Sequence, residues 1–367
     1  MKKLLICSTA IVAAGMIASP ASAADKIKLG LGGFMDQWIG TSTNKSSYLN
    51  AQSGQPNIGG FDVKGDSEVH VLGSTKLDNG ITVSVKWEME TDAGAQSANV
   101  DESSVNLSSP TMGTIILGAD DMATSVMHHT APEVGLALDD GDYGNWIQAP
   151  SANIALAPTE VNPGASDDYQ ISYISPSFSG FTFGAGFRPD TDGTEAPQSQ
   201  ANDNSGWSAG VAYDGELSGV TIGVDATYGV VNDNKAAGTQ TAARKEAALG
   251  ASIGFGAFTI GGAYKNVDQP KYAGFTSVDG SVWIIGGSYT SGPASVSIGY
   301  FHSEAEGNVN TAADDKKTVY QLSGSYDLGG GIALAGSVLK AKFDDETTAA
   351  GNNNEGWAAL AGVRVTF

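Results

Sequence analysis

Apolar and polar residues alternate along most of this chain with a period of two. Between Ile81 and Glu90, the side chains Ile81, Val83, Val85, Trp87 and Met89 fall on one side, with Thr82, Ser84, Lys86, Glu88 and Glu90 on the other. That is the spacing of a strand whose two faces meet different surroundings. The pattern recurs in Tyr169, Ile171 and Tyr173; in Phe181, Phe183, Ala185 and Phe187; in Val220, Ile222, Val224, Ala226 and Tyr228; and in Tyr320, Leu322, Gly324, Tyr326 and Leu328. It closes on Trp357, Ala359, Ala361, Val363, Val365 and Phe367, a strand with an aromatic last residue. About sixteen strands are predicted, at 27–40, 62–77, 81–92, 101–108, 113–120, 167–175, 180–188, 206–216, 219–231, 245–255, 257–267, 280–290, 293–304, 316–328, 331–343 and 355–367.

The connections alternate in length. Asp78-Asn79-Gly80, Ser109 to Met112, Pro176 to Ser179, Ser218, Gly256, Ser291-Gly292 and Gly329-Gly330 are short; Thr41 to Phe61, Pro189 to Ser205, Asn232 to Arg244, Val267 to Asp279, Ala305 to Asp315 and Asp344 to Asn354 are long and polar. Tight turns on one rim and long loops on the other, with an even number of antiparallel strands, describe an all-β transmembrane barrel with short periplasmic turns and long extracellular loops. Its first and last strands can pair and leave no open edge. A secreted β-sandwich would also alternate, but strands of ~5–6 residues suffice there; many of these run to ten or more, as crossing a bilayer requires. Trp38, Tyr173, Phe187, Tyr213, Tyr228, Tyr289, Tyr300 and Tyr326 lie near strand ends, where interfacial aromatic girdles belong.

Residues 1–23 carry the basic Met1-Lys2-Lys3, the apolar Leu4 to Ala18 and the small-residue Ala21-Ser22-Ala23, the three parts of a secretory signal peptide. The barrel is then expected over 24–367. Cys7, the single cysteine, goes with the leader, so disulfide and Cys-metal chemistry drop out. Loss of Lys2 and Lys3 takes the basic residues from 19 to 17 against 40 acidic, and the formal charge from −21 to −23. Such a balance argues against nucleic acid as a partner. Gly stands at 49 of 367, well above the typical ~7%.

The run Leu72-Gly73-Ser74-Thr75-Lys76-Leu77-Asp78-Asn79-Gly80-Ile81-Thr82-Val83 resembles the second strand, turn and third strand of Gram-negative general porins. Val105-Asn106-Leu107-Ser108 followed by Gly113-Thr114-Ile115-Ile116-Leu117-Gly118 is similar to their fourth and fifth strands. With the leader, the strand count and Phe367, the resemblance spans the chain. It implies a sixteen-stranded outer-membrane barrel, usually a homotrimer set among lipid and lipopolysaccharide, through which ions and small hydrophilic solutes diffuse passively. It also implies that Phe367 belongs to the signal read by the barrel-insertion machinery. The alternative function is an outer-membrane barrel anchoring an adhesin or a hydrolase.

One connection, 121–166, is far longer than the rest, and a loop of that length is usually functional. In the family it resembles, the third long loop folds into the barrel and sets carboxylates against a basic wall. Pro132-Glu133-Val134-Gly135 partly matches an element of that loop; Glu133, Asp139, Asp140 and Asp142 are the candidate constriction acids, and Trp146 with Ile154, Ala155, Leu156 and Ala157 could pack the loop on the inner wall. An extracellular lid is the other reading. Lys28, Lys86, Arg188, Lys265 and Arg364 are expected to face inward, against Glu68, Glu88, Glu90, Glu102, Asp214, Asp225 and Glu246. Acid outnumbers base, and Ala119 stands where family members often place an Arg. A cation preference is expected, modest because charges are screened over about 8 Å at physiological salt.

Other chemical motifs are weaker. Gly250-Ala251-Ser252-Ile253-Gly254 spells G-x-S-x-G but lies in an alternating strand, without the strand-to-helix elbow of a serine hydrolase. No catalytic residues are assigned and no enzyme is expected. His128-His129 are adjacent, whereas His70 and His302 are distant in sequence. Asp139-Asp140-Gly141-Asp142 could hold Ca²⁺ through oxygen ligands, off the EF-hand spacing, or line the pore; no other cofactor is expected. The register around Lys340 and Lys342 stays open.

Overall fold

A computed structural model describes residues 25–52, 58–91, 100–151, 156–164, 168–190, 205–232, 243–269, 279–306 and 313–367. Residues 1–23 and, of the predicted packing run, Ile154 and Ala155 lie outside the described residues. The strands are β1 (Lys28–Ser42), β2 (Gly60–Lys76), β3 (Thr82–Glu90), β4 (Val100–Ser109), β5 (Gly113–Ala119), β6 (Tyr169–Ile174), β7 (Phe181–Arg188), β8 (Ser205–Leu217), β9 (Val220–Asn232), β10 (Arg244–Phe255), β11 (Phe258–Asp268), β12 (Gly280–Ser291), β13 (Ala294–Ala305), β14 (Asp315–Gly329), β15 (Ile332–Asp344) and β16 (Asn354–Thr366). Each pairs antiparallel with its neighbours in sequence, and β1 pairs with β16, so the sheet is a closed barrel. At the seam Gly33 and Phe367 exchange backbone hydrogen bonds of 3.0 and 3.1 Å, which seats the terminal ring at the short-turn rim.

Closure removes the edge that would otherwise template pairing with other chains. The tight turns fix which face each strand shows. Ser218 and Gly219, both at positive φ (54° and 81°), join β8 to β9; that is the turn geometry whose twist matches an antiparallel hairpin. The register set there continues through Leu217↔Val220 to Ser205↔Asn232.

Leu29, Leu31, Ile171, Leu249, Ile298, Leu322 and Val338 stand exposed on the outer face. Aromatic rings pair across strands on that face, as in Phe181 with Tyr213 (4.9 Å between centroids), Phe258 with Tyr289 (4.8 Å) and Tyr300 with Tyr320 (4.8 Å). Lys340 and Lys342 also point outward, while Leu339, Ala341 and Phe343 point in, which settles the register of β15. Trp38 departs from its expected girdle position. It faces the interior, 5% exposed, in one apolar cluster with Trp146 and Leu360, because the inside of the barrel near β1 is packed with chain and not with solvent alone.

The inner face is of two kinds. On β2 to β4 it carries Glu68, His70, Lys86, Glu88 and Glu102; on β11 to β16 it carries Ala263, Val267, Val282, Ile284, Phe301, Val319, Leu339, Phe343 and Leu360. The expectation of a hydrophilic inner face therefore holds on β2 to β4, whereas on β11 to β16 these apolar residues alternate with polar ones such as Ser297, Lys317, Gln321 and Ser337. That side is covered by the long connection between β5 and β6.

Candidate functional site

The connection after β5 runs inside the barrel, along its wall, and back. A four-residue helix, Ala123–Val126, starts it. Thr124 Oγ1 donates to the Val161 carbonyl at 2.7 Å and lies 2.8 Å from Ser208 Oγ of β8. Two histidines then clamp the strand to β9: His128 Nδ1 lies 3.0 Å from one oxygen of Asp225, and the His129 backbone N–H donates to the other at 2.6 Å. His128 Nε2 reaches Thr159 Oγ1 at 3.1 Å, tying outgoing and returning legs together. Further on, the backbone N–H groups of Val134 and Leu136 donate to Ser297 and Ser337, and Gln321 Nε2 donates to the Leu136 carbonyl at 2.6 Å. The return passes Lys265, whose Nζ donates to the Glu160 carbonyl at 2.9 Å, and Arg188, fully buried, which donates to the carbonyls of Pro163 (3.0 Å) and Asp120 (3.1 Å).

Small inward residues make the seat. A Cβ at Gly299 would come within 2.7 Å of the Leu138 side chain, and one at Gly250 would collide with the His129 carbonyl. Part of the glycine excess in the sequence is thus a groove that admits the loop backbone. Over this groove, Leu136, Leu138, Tyr143, Trp146, Ile147 and Leu156 pack on the apolar wall of β11 to β16. Leu156 lies in the seam, and Ala157 is packed against it, as the sequence suggested.

Across the barrel the wall is charged. Lys86 Nζ donates to Glu102 and to Asp120 (3.2 Å) and stands 3.5 Å from Glu88. Charge is also paired elsewhere: Arg364 Nε of β16 donates to Asp36 of β1 at 2.9 Å, and Arg244 donates to Glu246 within β10 at 2.7 Å. Lys28 is exposed at the start of β1, opposite Ser74. The expected basic wall of Lys28, Lys86, Arg188 and Arg364 is not assembled as one face. Each of the last three is already engaged by a carboxylate or by loop carbonyls, and Lys28 sits eight residues before Asp36 on its strand.

The loop acids divide in the same way. Glu133 turns back into its own loop, its Oε1 accepting from the N–H groups of Leu138 (3.0 Å) and Asp139 (3.1 Å). Asp139 is buried and accepts from Thr130 (3.0 Å) and Thr159 (2.6 Å). Asp140 is exposed and Asp142 half-buried. Burial, with Asp139 and Asp140 nearby, pushes Glu133 up to about 8, and burial with Asp140 pushes Asp142 up to about 6. Asp139, Asp140 and Asp142 do not converge as a candidate Ca²⁺ group. Among the described residues the sets that could hold a metal are Glu68, His70 and Glu88; Glu68, Glu90 and Asp101; and Asp315, Asp345 and Glu346.

The family model for Gram-negative porins matches residues 8–347. The chain is a Gram-negative porin. Its barrel is that of a bacterial outer-membrane channel. The porin is similar in structure to an anion-selective porin from Comamonas acidovorans, with a TM-score of 0.64 and 20% identity over 93% of this chain and 100% of that one. It is also similar to the outer-membrane protein OmpT of Vibrio cholerae in its trimer form (TM-score 0.62, 12% identity, 94% and 100% covered). A mutant porin of Rh. blastica gives a TM-score of 0.56 at 17% identity, with 93% and 100% covered. No curated protein sequence matches.

Sequence reasoning had the long loop and its acids but missed two features of the porin's interior. One is the double-histidine clamp on Asp225, since His128 and His129 carried no partner in the linear pattern. The other is the pairing of His70 with Glu88, which the short turn at Asp78-Asn79-Gly80 makes cross-strand neighbours. Counting back from that turn was the signal available. Gly250 to Gly254 lies wholly within β10, as its alternation suggested.

Proposed function

We propose that this outer-membrane porin conducts ions and small hydrophilic solutes with a mild preference for cations. The observation that carries the reading is the charge on the β2 to β5 side. There Lys86 is the ammonium placed among the three carboxylates of Glu88, Glu102 and Asp120, so carboxylate is left over on that wall. A ring of surplus carboxylate raises cation concentration at the bore and lowers that of anions. The Comamonas acidovorans protein is named for anion selectivity, and at 20% identity its lining charges do not carry over. Asp140 and Asp142 at the loop surface are the acids we assign to the constriction; Glu133 and Asp139 brace the loop. Reversal potentials across a planar bilayer under a KCl gradient test this. A cation-positive permeability ratio that shrinks as salt rises is expected; a clear chloride preference overturns it.

We assign residues 1–23 to a cleaved leader, Phe367 to the insertion signal, and the outer face to lipid and lipopolysaccharide. A homotrimer is the assembly this porin would form, supported by the likeness to the Vibrio cholerae protein recorded as a trimer. Native mass measurement of the detergent-solubilised protein reads the assembly directly: a single-chain mass would remove the trimer.

A further inference from the structure

We propose that Glu68, His70 and Glu88, on the inner face of β2 and β3, form a binding site for one divalent transition-metal cation of the zinc class. The hairpin builds the group. Glu68 and His70 are two apart on β2 and so share a face, and His70 stands opposite Glu88 in the register, with Glu68 opposite Glu90. His70 Nε2 lies 2.8 Å from Glu68 Oε2, and His70 Nδ1 lies 3.8 Å from Glu88 Oε1. One ligand atom from each of the three falls within 4.8 Å of the others. Tetrahedral ligands on bonds of ~2.0–2.2 Å stand ~3.3–3.6 Å apart, and one ion takes only one ring nitrogen, so a carboxylate must swing round the imidazole edge to close the set.

The second observation is a buried oxygen with no hydrogen bond. Glu88 is 6% exposed, its Oε1 makes no hydrogen bond, and its near neighbours on that side are the His70 ring and the Lys86 ammonium at 3.5 Å. That ammonium is held by Glu102 and Asp120. Four carboxylates, Glu68, Glu88, Glu102 and Asp120, thus surround one ammonium and one imidazole. Burying carboxylates this close together is costly unless a cation completes them. The donor set picks the class of cation. Calcium and magnesium prefer oxygen ligands throughout, whereas an imidazole nitrogen with two carboxylates suits zinc and its neighbours. The ring itself is steadied by Phe34, edge-on with centroids 6.2 Å apart.

The site does not need the cation preference proposed above: bilayer recordings read that one, and metal stoichiometry reads this one. The test uses the detergent-solubilised barrel, stripped with chelator and dialysed against Zn²⁺ in the presence of excess Ca²⁺. One Zn²⁺ per chain is expected to survive the Ca²⁺. Affinity should fall by about tenfold or more in His70→Gln and in Glu88→Gln. With Cu²⁺ as probe, the electron paramagnetic resonance spectrum should carry hyperfine structure from one imidazole nitrogen. That signal should vanish in His70→Gln and persist in His302→Gln. Heat-modified gel mobility reports folding, and Glu68→Gln serves as the second variant if His70→Gln does not fold. Zn²⁺ displaced by Ca²⁺, no Zn²⁺ retained, or retention unchanged across the folded variants overturns the site; the group would then be an imidazole hydrogen-bonded between two carboxylates and nothing more.

Discussion

The two sides of the barrel interior solve the same problem differently. On β11 to β16 the inward face carries Val282, Ile284, Phe301, Val319, Leu339 and Phe343, interleaved with Ser297, Lys317, Gln321 and Ser337. The loop covers both kinds, packing on the first and hydrogen-bonding to Ser297, Gln321 and Ser337. On β2 to β4 they are Glu68, His70, Lys86, Glu88 and Glu102, left to pair among themselves. The loop touches this side at Lys64, whose ammonium stands 5.4 Å from the Trp146 ring. The difference predicts a water path set off-centre by solvation, with chain over the more apolar side and solvent along the charged one.

Breaking the seam should have the largest effect. Leu138, 1% exposed over Gly299, accepts no charge, and Leu138→Asp puts an unpaired carboxylate there at a cost of several kcal/mol. Single-channel conductance should rise roughly two-fold or more as the loop leaves, with the barrel itself still folded on unheated gels. Next comes packing beneath the seam. Phe301→Ala or Phe343→Ala, both fully buried, should lower the loop's seating stability by about 3–5 kcal/mol, read as faster protease cleavage within 133–147.

The opposite wall should respond in selectivity instead. Glu88→Gln with Glu102→Gln should move the reversal potential toward zero while leaving conductance within about a factor of two. Last and smallest is a pH effect from the loop. Glu133 is held above its ordinary 4.5, at about 8, so the stability it lends the 133–139 turn is full below 4.5 and lost as pH rises through 8. Protease cleavage there should quicken between about pH 5 and 8 and level off above that, and Glu133→Gln should flatten the rise. Asp142, held at about 6, should lose its charge below that pH, so cation preference should weaken from pH 7 to 5 in the parent and less in Asp142→Asn.

The strands were legible because lipid enforces strict alternation: every predicted segment lies within two or three residues of the strand it describes, as 219–231 does for Val220–Asn232. The loop was legible by length. The split interior was not, because a strand such as β15 carries Leu334 and Val338 outside and Leu339 and Phe343 inside. Apolar residues on both faces leave parity undecided, and the partner that explains the inner ones lies about two hundred residues away in the loop. Glu133 and Asp139 read as lining acids for a similar reason: composition shows a carboxylate, and only backbone geometry shows it turned to cap its own loop.

The off-centre water path is most directly tested by thiol accessibility in the mature barrel, whose sequence from residue 24 onward contains no cysteine of its own. Glu68→Cys, on the charged wall, should react quickly with a charged methanethiosulfonate reagent and reduce the current. Ala341→Cys, fully buried beneath the loop, should stay unmodified. Equal reactivity at both positions, or a silent Glu68→Cys beside a reactive Ala341→Cys, would contradict the account.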